Sequence, residues 1–112
     1  MFNTHDIANY YNRILNYYQN WWRLDNNLAV HFGIWDVNTS NFQDSLANTN
    51  KVLMDIAGIK SEGEILNAAC GVCGSAFYLA KKRKAIVTAI TLSEKQFAYA
   101  TQKYKELNLK IE

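Results

Sequence analysis

A chain of 112 residues suffices for one domain with a core but is short for an open α/β sheet. Hydrophobic residues at 49% and charged residues at 20% exclude a disordered chain. The net charge of +2, with basic residues scattered except at Lys81–Lys84, excludes an electrostatic nucleic-acid binder. That run falls at the end of a predicted helix, where cations complement the helix dipole. Met1–Asp6 lacks the basic and apolar segments of a signal peptide, and no apolar stretch approaches membrane-spanning length. The expected location is the cytoplasm, without stable membrane insertion.

Thr4 is placed to cap a first helix, with Asp6 in its opening turn. Ile7, Tyr10, Tyr11, Ile14, Leu15, Tyr18, Trp21 and Trp22 then recur at helical spacing as one broad apolar stripe. Such a stripe is expected to be core, although its Tyr and Trp rings, apolar faces with polar tips, also suit a lid. Asp25-Asn26-Asn27 reads as a turn, and His31-Phe32-Gly33-Ile34-Trp35-Asp36 as a loop or short extended piece. His31 beside aromatics has a structural reading and a functional one. Ser40 and Gln43 have capping-box spacing for a second helix with the stripe Phe42, Leu46, Val52, Leu53 and Ile56. Gly58 is its expected left-handed stop, and Ser61-Glu62-Gly63 turns the chain into a strand.

Residues Glu64–Gln96 hold the chemical message. An apolar run, Glu64–Ala69, is followed by Cys70-Gly71-Val72-Cys73-Gly74, a helix pattern over Ser75–Lys82 and a second apolar run over Ala85–Ile90. Strand, small-residue turn, helix and strand in about thirty residues open a right-handed βαβ unit. The turn lets a ligand approach the backbone, and the helix start presents unpaired N–H groups, the outline of a nucleotide-type pocket. Ser93 and Gln96 then have capping-box spacing, Phe97, Ala100, Tyr104 and Leu107 form a stripe, and Asn108 is a terminator. Leu109-Lys110-Ile111-Glu112 alternates like a third strand beginning. Two parallel strands alone leave edges unpaired and faces wet, so the expected fold is α/β, Rossmann-like and incomplete. N-terminal helices over residues 1–60 form a lid or cap, and a βαβα unit over 61–112 is completed by further chain or by a partner's strands.

Several ligands compete for the turn. A dinucleotide fingerprint needs G-x-G-x-x-G and an acidic residue about twenty positions on; the glycines here fall at Gly71 and Gly74, and the second strand ends in Thr91. A P-loop lacks its Gly-Lys-Ser/Thr. Cys70-Gly71-Val72-Cys73 has the C-x-x-C spacing of a thiol–disulfide site at a helix N-terminus. Thioredoxin-like proteins, however, carry a cis-proline facing the thiols, and this chain has no proline. Zinc would find only two of its ligands in this pair, and no metal site is expected.

The remaining reading is S-adenosylmethionine. Glu64–Phe77 resembles the first motif of class I methyltransferases, an apolar strand, an acid, any residue, then Gly-x-Gly-x-Gly. Ile90-Thr91-Leu92-Ser93-Glu94-Lys95-Gln96 is similar to the small-molecule branch that includes tocopherol and sarcosine methyltransferases and cyclopropane fatty-acid synthases. Tyr10-Tyr11-Asn12, Trp21-Trp22 and His31–Asp36 look like that branch's front elements, so the resemblance spans roughly residues 7 to 108. It implies an S-adenosyl-L-methionine cofactor and a small-molecule or lipid methyl acceptor. By position, Asn67, Ala69, Cys70, Gly71 and Cys73 would line the methionine part, and Thr91, Leu92 and Gln96 the ribose and adenine side. Tyr11, His31 and Trp35 would come from the front as a lid over the sulfonium, since a cation is attracted to ring faces. The resemblance identifies no catalytic residue. Asn67 stands where the family has an acid, and Ala69 and Cys73 where it has glycines. A non-catalytic, methyltransferase-like module is therefore the alternative to methyl transfer, and a thiol–disulfide protein the next.

Overall fold

A computed structural model describes residues 1–109, so the expected third strand falls, from Lys110 onward, outside the described residues. Helix α1, Thr4–Trp21, is capped by Asn3, one residue before the expected cap Thr4. Asn3 Oδ1 accepts from the Asp6 N–H at 2.9 Å and Asp6 Oδ2 accepts from the Asn3 N–H at 3.1 Å. This register wins over a Thr4 cap because it lets Asp6 return the bond and close a capping box. The expected turn at Asp25–Asn27 is a one-turn helix, α2, Leu24–Asn27. Helix α3, Phe42–Ile56, is capped by Asn41, whose side chain accepts from the Asp44 N–H at 2.9 Å, not by Ser40. Gln43 takes a bond from Asn27 Nδ2 at 2.8 Å instead. The left-handed stop at Gly58 is present at φ +62°.

The βαβα unit follows the sequence reading closely. Strand β1, Glu64–Ala68, runs parallel to β2, Ile86–Ile90, in the register Glu64↔Ile86 to Ala68↔Ile90. Between them lies α4, Gly74–Arg83, and after β2 comes α5, Glu94–Leu107, ended by Asn108 at φ +50°. Phe77, Ala76, Val87, Ala85, Cys73 and Ala100 pack α4 and α5 against one face of the sheet. A second cluster, Leu15, Leu24 and Val72, joins the helical front to the turn after β1, and Leu28 packs against both. Leu66, Ile86 and Ile90, which share the other face, are exposed.

The helical stripes are less buried than their periodicity suggests. On α1 only Leu15 is buried, while Tyr10, Tyr11, Ile7 and Trp21 are exposed, because only the strip against α2 and α5 finds partners. On α3 the inner face is Ser45, Leu46, Asn48, Thr49 and Met54, and Phe42, Leu53 and Ile56 lie outside. That polar face has a clear cause. Residues 31–36 lay their backbone along it: Ile34 N–H donates to Thr49 Oγ1 at 2.9 Å, Thr49 Oγ1 donates to Phe32 O at 2.9 Å and Asn48 Nδ2 donates to Ile34 O at 3.0 Å. Side chains thus replace water for a loop backbone that has no strand to pair with. A Cβ at Gly33 would overlap the Ser45 side chain. Among the described residues no helix is long and apolar enough to cross a membrane.

Among the described residues, three sets of hydrogen bonds and an Arg83–Asp55 ion pair at 3.6 Å hold the helical front on the βαβα unit. Ser75 Oγ bonds Asn50 Oδ1 at 2.6 Å, and Tyr99 OH donates to Asp25. Asn12 Oδ1 accepts from both Ser93 Oγ at 2.6 Å and the Lys95 N–H at 3.2 Å, at the N-terminus of α5. Asn12→Ala leaves the buried Ser93 hydroxyl without its acceptor and is expected to lower stability by about 1–2 kcal/mol. Asn12→Asp keeps the acceptor beside a helix N-terminus and should retain most of it. Urea unfolding of both variants checks this; equal losses would show that the bond is not the cause.

Candidate functional site

The turn between β1 and α4 bends through three left-handed residues, Ala69 at φ +55°, Gly71 at φ +58° and Cys73 at φ +66°. It is pinned at its start by the Cys70 N–H donating to Ile90 O at 2.9 Å, which extends the strand pairing one step past β1. Closure comes from the Cys73 N–H donating to Cys70 O, also at 2.9 Å. Gly71 is required twice over: its φ is positive, and a Cβ there would overlap Val30. A Cβ on Gly74 would overlap the Leu28 carbonyl, so the helix start also sits directly on the chain that follows α2.

Beside this turn lies a cavity of about 390 Å³, within the usual range of ligand sites. Tyr11 comes to it from α1, Ala69 and Gly71 from the turn, and Thr91, Leu92 and Gln96 from the segment after β2. Six of the residues singled out in the sequence therefore meet at one place. Ile7, Val30 and Ile90 complete the wall. Sequence reasoning did not single these three out, since each looks like ordinary core; the one available signal was their position next to Tyr11, His31 and Thr91. The polar edge is a chain of bonds. Thr91 Oγ1 donates to Gln96 Oε1 at 3.0 Å and accepts from the Ser93 N–H at 3.2 Å, and Ser93 Oγ accepts from the Gln96 N–H at 3.1 Å while donating to Asn12. Ser93 is thus the cap of α5 as expected, but Gln96 turns its side chain to Thr91 instead of closing the box.

The other five lie elsewhere. His31 is held by its Nε2 at 3.1 Å from Leu46 O. Trp35 stands on the exposed part of the loop. Asn67 sits mid-strand on the face shared with Ile65, and its buried Nδ2 has no partner among the described residues. Cys73 is in the core cluster and Cys70 packs against it, so neither thiol lines the cavity. Among the described residues no carboxylate lines the cavity either.

No family model matches the sequence, and no curated protein matches it. Solved structures do. The [4+2]-cyclase SpnF superposes with a TM-score of 0.82 at 18% identity, over 98% of this chain and 41% of that one. Geranyl diphosphate C-methyltransferase from Streptomyces coelicolor A3(2), with Mg²⁺, geranyl-S-thiolodiphosphate and S-adenosyl-L-homocysteine, gives 0.81 at 22% identity over 96% and 46%. The cyclopropane synthase MmaA2 from Mycobacterium tuberculosis gives 0.81 at 14% identity over 93% and 36%. The fold is that of the N-terminal part of class I methyltransferases. This chain spans less than half the length of each of these structures.

Within that methyltransferase fold the departures from the glycine motif change strain more than space. Cys73 turns its side chain into the core, and Ala69 leaves the cavity open. Both nevertheless hold a left-handed backbone, which costs a residue with a Cβ about 1–2 kcal/mol. Ala69→Gly is therefore expected to raise stability by about 1 kcal/mol in urea unfolding; a loss would show that the Ala69 methyl makes contacts worth more than its strain.

The loop carrying His31 and Trp35 also responds to acid. Asp36 is held below the usual carboxylate range by the Asn38 N–H and the Asn48 amide, which donates to Asp36 Oδ2 at 2.8 Å. A lowered folded-state value means that this stabilisation is present above the ordinary carboxylate pKa and is lost as pH falls through the folded one. The Asn38 amide resonance should thus hold steady above pH ~4 and shift only at more acidic pH. A shift starting above that range would contradict the hydrogen-bonded carboxylate.

Proposed function

We propose that this chain is the cofactor-binding front of an S-adenosylmethionine-dependent methyltransferase acting on a small molecule or lipid. One observation carries the proposal: Tyr11, the Ala69–Gly71 turn and Thr91–Gln96, far apart in sequence, converge on a single cavity beside a left-handed turn. The nucleoside half of the cofactor fits the wall. Ile7, Val30, Ile90 and Leu92 offer apolar faces for adenine, and Thr91 and Gln96 offer polar atoms for ribose hydroxyls. Gly71 presents bare backbone where the chain must come closest.

Bound there, S-adenosylmethionine would supply an electrophilic methyl on a sulfonium sulfur. The chain's own residues would then hold the sulfonium under the Tyr11 ring and keep water out with the apolar wall. Methyl transfer depends on alignment more than on acid–base help. We assign residues 1–60 to the lid and 61–112 to the cofactor unit. His31, tied to Leu46, positions the lid. The acceptor side would come from structure covering the exposed sheet face of Leu66, Ile86 and Ile90, from further chain or from a partner.

A cavity lined by no carboxylate among the described residues favours a second reading, a module that binds the nucleoside without transferring a methyl group. The likeness to a cyclase shows that this fold also serves other chemistry. In either case the nucleoside half should dominate affinity. By isothermal titration, 5′-methylthioadenosine is expected to bind within about ten-fold of S-adenosylhomocysteine. Thr91→Val should weaken both by about five-fold, the cost of one hydrogen-bonding hydroxyl. Absence of heat with both ligands would refute cofactor binding. Binding to both, with no methyl transfer by the chain joined to its acceptor half, would select the second reading.

A further inference from the structure

The two cysteines were part of the expected cofactor wall, yet the fold points them away from it. They face a separate small cavity of about 130 Å³ between β2 and α5, bordered by Thr91, Phe97, Thr101 and Tyr104. There the Cys73 S–H donates to Cys70 Sγ at 3.4 Å. Cys73 is buried in the core, whereas Cys70 is only partly covered. We propose that Cys70 and Cys73 form a peroxide-sensitive thiol pair that closes to a disulfide across the turn.

The geometry assigns the roles. Cys70 is the accessible sulfur, and it already accepts the only S–H within reach among the described residues. That bond from Cys73 holds the Cys70 thiol below its ordinary range despite burial. The same bond, followed by burial, pushes Cys73 up, so the proton stays on the inner sulfur. Cys73 is also the N-cap of α4, where the dipole favours negative charge on the pair. A cavity of this size admits a peroxide but not a bulky disulfide.

The Cys70 thiolate attacks one oxygen of hydrogen peroxide, the O–O bond breaks, and Cys70 becomes a sulfenic acid with release of hydroxide. Cys73 sulfur then attacks Cys70 sulfur, the S–O bond breaks, and the oxygen leaves as hydroxide. The Cys73 proton and one from solvent turn the two hydroxides into water. Overall two thiols and one peroxide give one disulfide and two waters. The sulfurs must approach from 3.4 Å to about 2 Å, a small movement. It falls on the four residues that contain Gly71, the point where backbone meets the larger cavity.

The test uses the full chain, hydrogen peroxide and intact-mass spectrometry, and it involves no cofactor. Wild type is expected to lose two hydrogens, become inert to maleimide at both sulfurs, form no covalent link between chains and recover on treatment with dithiothreitol. In C73S the Cys70 sulfenic acid should persist and be trapped by dimedone. In C70S the buried Cys73 should react at least ~10-fold more slowly than Cys70 does in C73S. Wild type that keeps two alkylatable thiols, accumulates sulfinic acid or links between chains overturns the proposal, whether or not S-adenosylhomocysteine binds. The wild-type mass alone decides it should either variant fail to fold.

Discussion

The path of the backbone from Ala69 to Cys73 is the constraint on which the rest depends. Two strands can lie parallel only if the chain leaves the first, crosses over as a helix and returns, and here the exit is a turn of alternating left-handed residues. The Cys70 N–H pairing with Ile90 O fixes that turn to the end of the neighbouring strand, so the turn and the segment after β2 move as one. Of the other residues that border the larger cavity, Val30 packs against Gly71, and Ile7 and Tyr11 stand on α1, which rests on α2 and α5. With glycine at only one of the three left-handed positions, the turn carries strain that tertiary packing has to offset.

The second requirement is a helical front held at the correct height over that turn. Packing alone is modest, since most of the α1 stripe faces outward. Polar ties supply the registration instead. Asn12 caps α5 from a distance, Ser93 passes the bond on to Gln96, and Gln96 reaches Thr91 at the cavity edge. One continuous set of hydrogen bonds therefore links the helix that brings Tyr11 to the segment that brings Thr91 and Leu92. Such networks specify a single arrangement because leaving any member unpaired in a buried setting is costly.

The larger and the smaller cavity lie on opposite sides of the same few residues. Ala69 and Gly71 border the first, Cys70 and Cys73 the second, and Thr91 borders both. A left-handed turn makes this possible by sending successive side chains to different sides over a short path. Thiol chemistry and ligand binding, which competed for one motif when only the residue order was known, are thereby separated in space.

Much of the architecture was legible before any coordinates. The two strands, the crossover helix, the caps at Ser93 and Asn108 and the stop at Gly58 are local matters, decided by residues within one or two helical turns of each other. Asn3 and Asn41 were missed only because Thr4 and Ser40 are comparable caps; the choice turned on Asp6, which accepts from the Asn3 N–H, and on Asp44, which accepts from the Ser40 N–H and from Asn41 Nδ2. Partner surfaces, by contrast, are not written in periodicity. Whether Tyr10 is core or surface depends on what α1 meets, and the inner face of α3 is polar because a loop, not a helix, lies on it. The same holds for His31, tied to Leu46, and for Cys73, turned inward. Residue order alone determined which elements form and where they end, because capping and backbone preference act over a few residues; which faces meet, and so which side chains share a cavity, only the tertiary structure decided, because burial is a property of two surfaces and not of one.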